Sequence, residues 1–573
     1  MESQIKQCQN CKNEFTIEPE DFDFYEKMKV PSPTFCPMCR AQRRILWRNE
    51  HFLYKRKSDF SGKEIFSSYS PEFSGKVYEN DIWFGDKWDP LDYGADVDFS
   101  KSFFSQIKEL LDKVPKKALE VIRAVNSDYC NNATAPKNCF LVFNSNYGED
   151  CMYSNGVDQS KDCIDVSHAL KCEFAYEGLW LTRVNRVSFS VQCEDSSDIY
   201  FSKNLRGCMY CFGCVNLRNK KYCIFNKPYP KEEYFKELEK YDTGSYIGLQ
   251  KIIAQVKNFW LLYPNKFLEG THNNNVSGEY ISYSKNVKNS YLVREGENLR
   301  YCQYLQVPPN KDCYDHSIWG AGNELTYECD QCGLGAKNIR FCEMSWPNVK
   351  NLEYCICCGS SSDLFGCVGV RNKQYCILNK QYTKEAFEAL RTKIIKHMNE
   401  MSYTDKGGRV YGYGEFFPPE LSPFSYNESI AQEHFPLTKE TAVKNGYLWR
   451  DMRERNYKIT MQPEDLPDHI KDVADTITQE VISCSHKGEC NDECTVAFRI
   501  TSRELNFYRK ANLPLPRLCF YCRLAERRKQ RNSFKLWHRK CVKPGCPNEF
   551  ETSYAPDRPE IIYCEQCYNS EVA

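Results

Sequence analysis

GCVNLRNKKYCIFNKPYPKE, residues 213–232, recurs as GCVGVRNKQYCILNKQYTKE, residues 366–385, with 14 of 20 positions identical. The middle of the chain is therefore a duplication, with one copy over residues 126–232 and the other over 285–385. A finer repeat runs inside each copy. The first reads KNCFLVF, EDCMYSN, KDCIDVS, KCEFAYE, VSFSVQC, DIYFSKN, RGCMYC and KKYCIFN. The second reads NSYLV, LRYCQYL, KDCYDHS, LTYECDQC, IRFCEMS, LEYCICC, LFGCVGV and KQYCILN. Each unit is a short aromatic- and Cys-rich strand with period-two alternation, and Asn, Asp, Gly, Lys and Ser fill the turns. Strands this short cannot bury themselves, and near-constant spacing means stacked coils. The pattern predicts a β-solenoid in each copy, parallel β-helix-like, of about four coils if each coil holds two strands. A series of antiparallel ribbons pinned by metals is the other architecture that fits. Helices expected at 231–241, 249–262 and 384–401 would cap coil ends that otherwise invite edge pairing.

The thirty-three cysteines follow two patterns. Twenty lie between Cys130 and Cys376, mostly single. Cys is small and apolar enough to fill a tight interior row, so these read as a reduced core ladder. Phe189, Phe201 and Tyr291 stand at the equivalent place in other units, as packing positions allow and metal ligands do not. Cys208, Cys211, Cys214, Cys329, Cys332, Cys355, Cys357 and Cys358 are close enough in sequence to hold metal instead. Outside this region the cysteines come as pairs of pairs: Cys8/Cys11 with Cys36/Cys39, Cys490/Cys494 with Cys519/Cys522, and Cys541/Cys546 with Cys564/Cys567. Four thiolates converging tetrahedrally on one ion need this spacing. A complete thiolate set leaves no open position, so the sites read as structural, with about three Zn2+ per chain. Cys484 stands alone beside the second set and, with His486 nearby, offers a substitute for Cys490.

A second duplication links the ends. Residues 11–49 and 494–532 align without a gap, and 14 of 39 positions are identical. In each, a first knuckle leads to alternating Phe and Ile, a short helical stretch ends in Phe-Tyr, and Pro-x-Pro fixes an extended approach to the second pair. Arg-rich helical runs follow, RAQRRILWRN and RLAERRKQRN. A metal knuckle opening directly into a helix is treble-clef geometry. The module resembles the treble-clef zinc-ribbon family, whose pattern is met at Cys8, Cys11, Phe15, Phe24, Tyr25, Cys36, Cys39 and Arg40. The resemblance covers about forty residues per copy and implies zinc. A shorter third ribbon echoes it, CPNEF at 546–550 against CKNEF at 11–15.

With 77 basic and 77 acidic residues the net charge is zero, so no whole-protein basic field supports nucleic-acid binding. That reading rests on local clusters, Arg40, Arg43, Arg44 and Arg48 in the first ribbon and Arg523, Arg527, Arg528 and Arg531 in the second. Trp47, Tyr54 and Trp537 are interleaved, which suits phosphate contact with base stacking. The same arginines also read as solvated helix faces or as partners of the chain's own carboxylates. The N-terminus lacks an apolar signal region and no apolar run approaches the ~18 residues of a membrane helix, so a cytoplasmic protein without a membrane partner is expected. No HExxH, GxSxG, P-loop or dinucleotide motif occurs, and SGK at 61–63 and 74–76 lacks the upstream glycine. Asp165/His168 and Asp315/His316 do not read as corresponding across the duplication. No catalytic residue or bound organic cofactor is expected.

The fold class expected is mainly β with α: terminal treble-clef zinc ribbons flanking a duplicated β-solenoid with capping helices. The order is ribbon 1–50, aromatic and acidic adapter 51–125, solenoid 126–232, helical connector 233–284, solenoid 285–385, helix and extended linker 386–483, and ribbons 484–535 and 536–573. The function expected is a non-enzymatic zinc protein that binds nucleic acid, RNA before DNA, through its ribbons. The alternative is a scaffold whose solenoid surfaces meet a protein partner while the ribbons act as clamps.

Overall fold

The computed structural model describes residues 2–451, 457–490 and 492–572. Two eleven-stranded sheets dominate it, both parallel along nearly their whole length, and these are the two solenoids. In the first, Met152 pairs with Ile164, Ile164 with Tyr176 and Ser197 with Met209, each partner twelve residues on. One coil is therefore twelve residues rather than a pair of strand units, and each stack holds correspondingly more coils than expected. The backbone explains the short coil. Every third residue takes positive φ, as at Asn138, Leu141, Asn144, Tyr147, Asp150 and Tyr153. Each left-handed residue turns the chain, so a coil has four corners and three residues to a side. The period is three, not the two that the alternation suggested.

The residue after each corner points inward. Cys139, Val142, Ser145 and Cys151 are all buried. One inward row runs Cys139, Cys151, Cys163, Ala175, Val187, Ile199, Cys211 and Cys223, all within the same core. Four such rows share a narrow tube, so small side chains prevail. Cysteine has a further use there. The Cys139 thiol donates to the carbonyls of Lys137 (3.5 Å) and Gly148 (3.4 Å), and Cys208 donates to Arg206 (3.4 Å) and Leu217 (3.5 Å). Inward serines do the same, Ser154 to Met152 (2.8 Å) and Ser202 to Tyr200 (2.9 Å). Cys and Ser exchange along the rows because both give a donor to a carbonyl two residues back.

The Cys-x2-Cys spacing inside the solenoids is this period of three. Cys208, Cys211 and Cys214 point inward from successive sides, and so do Cys329 with Cys332 and Cys355 with Cys358. Cys357 sits at a corner (φ 55°) and faces outward. No cysteine forms a disulfide, and among the described residues no solenoid cysteines form a group able to hold an ion. The interior ladder therefore stands, although one argument for it does not. Phe189 and Phe201 occupy corners and stack on each other at 4.7 Å, while Tyr291 packs on Phe534 at 4.8 Å. None of the three shares the inward position.

Corner columns carry Asn and Asp, which tolerate the left-handed conformation. Asn126 donates to Asn138 and Asn138 to Asp150, and the second copy repeats this from Asn275 through Asn286 and Asn298 to Asp312. The second stack begins at Asn274, a coil earlier than expected. Both copies end in the quoted stretch. Phe225-Asn226 and Leu378-Asn379 are consecutive left-handed residues, the geometry of a type I′ hairpin, and each turns the parallel ladder back on itself. Asn226 and Asn379 bond both the N–H and the carbonyl of Val215 and Val368, which plugs the last coil. Helices Lys231–Leu238, Tyr246–Trp260 and Lys384–Glu400 follow. Phe235 packs on Tyr210 and Phe387 on Tyr375, both at 5.9 Å, so these helices cap the ends. Among the described residues no helix is long and apolar enough to cross a membrane.

Candidate metal centres and the surfaces they hold

Three sets of four cysteines converge: Cys8, Cys11, Cys36 and Cys39; Cys484, Cys494, Cys519 and Cys522; Cys541, Cys546, Cys564 and Cys567. Within each set every sulfur lies within 4.8 Å of the others. Cys11 and Cys36 are 3.8 Å apart, Cys484 and Cys522 3.8 Å, and Cys546 and Cys564 3.9 Å. Bonds of ~2.3 Å from one tetrahedral zinc place its thiolates about 3.8 Å apart, so the sulfur atoms fit that ion. Backbone amides support them equivalently, with Cys36 N–H donating to Cys8 Sγ (3.2 Å), Cys519 N–H to Cys484 Sγ (3.3 Å) and Cys564 N–H to Cys541 Sγ (3.3 Å). Cys36 and Cys519 are the N-caps of helices Pro37–Ile45 and Phe520–Arg528, whose positive ends favour thiolate. Cys564 directly precedes helix Glu565–Val572.

The second set corrects one assignment, since Cys484 and not Cys490 completes it. Strand register gives the reason. Gln7 pairs with Glu14 in the first ribbon and Ser483 with Ala497 in the second, so the residues that follow, Cys8 and Cys484, are equivalent. Cys8 N–H donates to Asn13 (2.9 Å) and Cys484 N–H to Val496 (2.8 Å), positions that match in the ribbon alignment. Seven extra residues between Cys484 and Cys494 obscured this in a gap-free comparison.

The arginine-rich helices face inward, against the nucleic-acid reading of these residues. Arg40, Arg43, Arg44, Arg523 and Arg527 are at most 6% exposed. Arg40 pairs with Asp315 (2.8 Å), and Arg44 with Asp315 (3.2 Å), Glu328 (3.0 Å) and Ser317 (3.1 Å). Arg43 pairs with Glu328 (2.8 Å) and Glu415 (3.0 Å). In the second ribbon Arg523 pairs with Asp165 (2.9 Å), and Arg527 with Asp165 (3.0 Å), Glu177 (3.4 Å) and Ser167 (3.4 Å). Arg48 bridges Asn144 of one solenoid and Gln331 of the other. Arg528 pairs with Glu433 (2.7 Å), and Arg531 donates to the Tyr304 hydroxyl (3.2 Å). Trp47 is buried and Tyr54 donates to Glu428, so neither is a stacking platform. A phosphate could reach these arginines only by displacing carboxylates already in place.

The docking is crossed, with the first ribbon on the second solenoid and the second ribbon on the first. It also corrects the reading of Asp165 and Asp315, which do correspond. KDCIDVS (161–167) and KDCYDHS (311–317) share Lys-Asp-Cys-x-Asp-x-Ser; each Asp receives the matching pair of arginines, and each Ser the second arginine of that pair. The histidines do not correspond: His316 replaces Val166, and His168 lies beyond the motif. The motif was visible in the sequence at a spacing of 150, but the terminal stretches align at 153, because three successive coils after the motif in the second copy each carry one extra residue. Aromatics repeat the match. Arg40 lies over Tyr301 at 5.2 Å and Arg523 over Tyr153 at 5.0 Å, while Tyr25 meets Tyr327 at 5.4 Å and Tyr508 meets Tyr176 at 6.0 Å. The third ribbon ties both stacks. Ser553 bonds Glu279, Thr552 donates to the Phe267 carbonyl (2.6 Å), and Tyr568 reaches Asn216 (3.2 Å).

No protein-family model matches the chain, and no curated protein matches it. One solved structure with some similarity is described as a "putative acetyltransferase" from Desulfovibrio desulfuricans G20. It is 10% identical over 52% of this chain and 87% of that one, with a TM-score of 0.09, and it carries no argument about fold or function.

Proposed function

We propose that this chain is a non-enzymatic zinc protein that works as an interaction scaffold in the reducing cytoplasm. Each four-thiolate set takes one zinc, the ribbons clamp the two solenoids into one body, and the uncovered solenoid corners meet a protein partner. One observation carries this reading: the arginines of both knuckle helices are engaged inside the molecule, where they hold ribbon to solenoid. Charged side chains at and beside the corners support it. Lys137 pairs with Glu149 (2.9 Å), Arg183 with Glu194 (2.7 Å) and Asp195 (2.6 Å), and Arg186 with Asp198 (2.6 Å). Such a face alternates in sign. It offers no continuous cationic stripe to a phosphate backbone and suits charge-complementary contact with a protein.

Two measurements test the reading. Elemental analysis of purified protein should find at least one zinc for each four-thiolate set; fewer, or iron, removes the zinc assignment. Anisotropy titration of a mixed RNA pool against the parent protein should show weak binding without a steep salt dependence. Tight binding that falls steeply with salt would restore the nucleic-acid reading and sink the scaffold.

A further inference from the structure

The second ribbon holds more ligands than one ion needs. Its knuckle loop is seven residues longer than that of the first ribbon, and the extra length contains a histidine and a cysteine. The loop does not lead away from the metal set. Lys487 N–H donates to the Cys484 carbonyl (2.8 Å) and Glu489 N–H to the His486 carbonyl (2.8 Å), so two tight turns fold it back. As a result Cys490 Sγ lies 3.7 Å from Cys522 Sγ, and His486, Cys490 and Cys522 form a group of their own able to hold an ion. Cys490 is not a member of the four-cysteine set, whereas Cys522 belongs to both groups. His486 supplies an independent observation, because its Nδ1 is buried and has no hydrogen-bond partner.

We propose that the second ribbon binds a second zinc ion through His486, Cys490 and a bridging Cys522 thiolate, with solvent in the remaining position. The chemistry follows from the charges. A zinc held by four thiolates carries two net negative charges, and a thiolate at its edge can donate a second lone pair to a neighbouring divalent cation. The Cys490–Cys522 separation matches the roughly 3.8 Å that two thiolates take up on one zinc. On binding, Cys490 loses its thiol proton to solvent and His486 binds as the neutral imidazole. The first ribbon is the internal control. Its knuckle has two residues between Cys8 and Cys11 and brings no extra ligand to Cys39, the counterpart of Cys522. A site with three protein ligands and one solvent position should also exchange faster than the closed sets.

The inference rests on the zinc reading of the four-thiolate sets, and a count on the full chain separates the two. Zinc per chain is measured by elemental analysis for the parent, His486→Ala and Cys490→Ser, with melting followed in parallel. The expected result is four zinc ions in the parent and three in either variant, with melting nearly unchanged and the second ribbon still docked. A mild chelator should remove one ion from the parent well before the others. Three ions in the parent overturn the second site and leave the zinc reading intact. A fall to two in Cys490→Ser also overturns it, since Cys490 would then belong to the closed set. Fewer than three in the parent would remove the zinc reading itself.

Discussion

The two ribbon–solenoid joints are one design executed twice, and they differ in how deeply the charges are buried. At the first joint Arg40, Arg43 and Arg44 meet Asp315 and Glu328, whose side chains are fully buried, and Glu415 from the linker closes the cluster. At the second, Glu526 replaces Arg43, among the described residues the linker sends no carboxylate to the cluster, and Glu177 keeps 20% of its side-chain exposure. Burial raises the Glu328 pKa despite Arg43 and Arg44, and raises that of Glu177 to about 7 despite Arg527. Both joints therefore balance desolvation against guanidinium attraction, but only the second has water at its edge. The first joint is the more brittle, because loss of one partner there leaves a charge with no recourse to solvent.

The largest expected effect tests that difference. Asp315→Ala leaves Arg40 and Arg44 under-compensated in the interior, and removing one partner of a buried pair costs about 3–5 kcal/mol. Asp165→Ala should fall at or below the lower end of that range, since solvent can reach the exposed flank beside Arg527. Denaturant unfolding of both variants reads the comparison directly. Equal costs would mean that the linker carboxylate and the extra arginine add nothing to the first joint.

Protonation offers a finer probe, because the junction between the joints is asymmetric in histidine. His434 stacks on Phe534 at 4.3 Å and meets the Tyr304 hydroxyl at 3.1 Å, beside Arg531. Burial and then the Arg531 charge hold its pKa down at about 3, with Glu433 and Glu50 opposing and Arg528 adding to the depression. Its unfolded-state value is near 6.5. Between these values the unfolded chain binds a proton that the folded chain does not, so stability is present above about pH 6.5 and is lost as pH falls toward 3. The parent should lose up to about 2 kcal/mol more than His434→Gln between pH 7 and pH 5. Arg48, the counterpart of Arg531, bridges the two solenoids through amides and pairs with Glu50 (2.6 Å). Parallel acid curves for parent and variant would show that His434 carries no such linkage.

Particular residues show how much of this was legible. The terminal cysteine pairs and the double duplication stand plainly in the sequence, because metal ligation and coil stacking both impose spacing. The coil length did not, because Phe and Tyr sit at corners as well as along sides. Leu141, Tyr153 and Phe201 all take positive φ, against the usual preference for Gly, Asn or Asp. Strand propensity therefore masked the turns. Cys484 is legible as a substitute for Cys490, but the loop insertion kept the alignment from choosing between them. Pairing of the arginines with the chain's own carboxylates was one legible reading, but which carboxylates they meet was hidden by topology, since each ribbon docks on the solenoid more distant in sequence, and no local pattern reports that.

The smallest effect concerns what lies behind the joints. Cys163 and Cys313 are the inward residues of the two matching motifs, directly behind Asp165 and Asp315. Cys163 donates to the Lys161 carbonyl (3.4 Å) and Cys313 to the Lys311 carbonyl (3.2 Å). A serine hydroxyl can make the same bond, as Ser154 and Ser202 do in neighbouring coils. Cys163→Ser and Cys313→Ser should therefore cost about 1 kcal/mol or less, and equally, because the bond is kept and only the larger sulfur volume is lost. Cys39→Ser, by contrast, removes one sulfur of the first four-cysteine set and should undock the first ribbon. Hydrogen exchange distinguishes the cases, since the ladder variants should keep protection on both ribbons. A large, unequal loss for Cys313→Ser would mean that the second solenoid's sulfur ladder does more than fill space. It would also reopen metal binding for the stretch from Gly296 to Lys350, whose coils run to thirteen or fourteen residues.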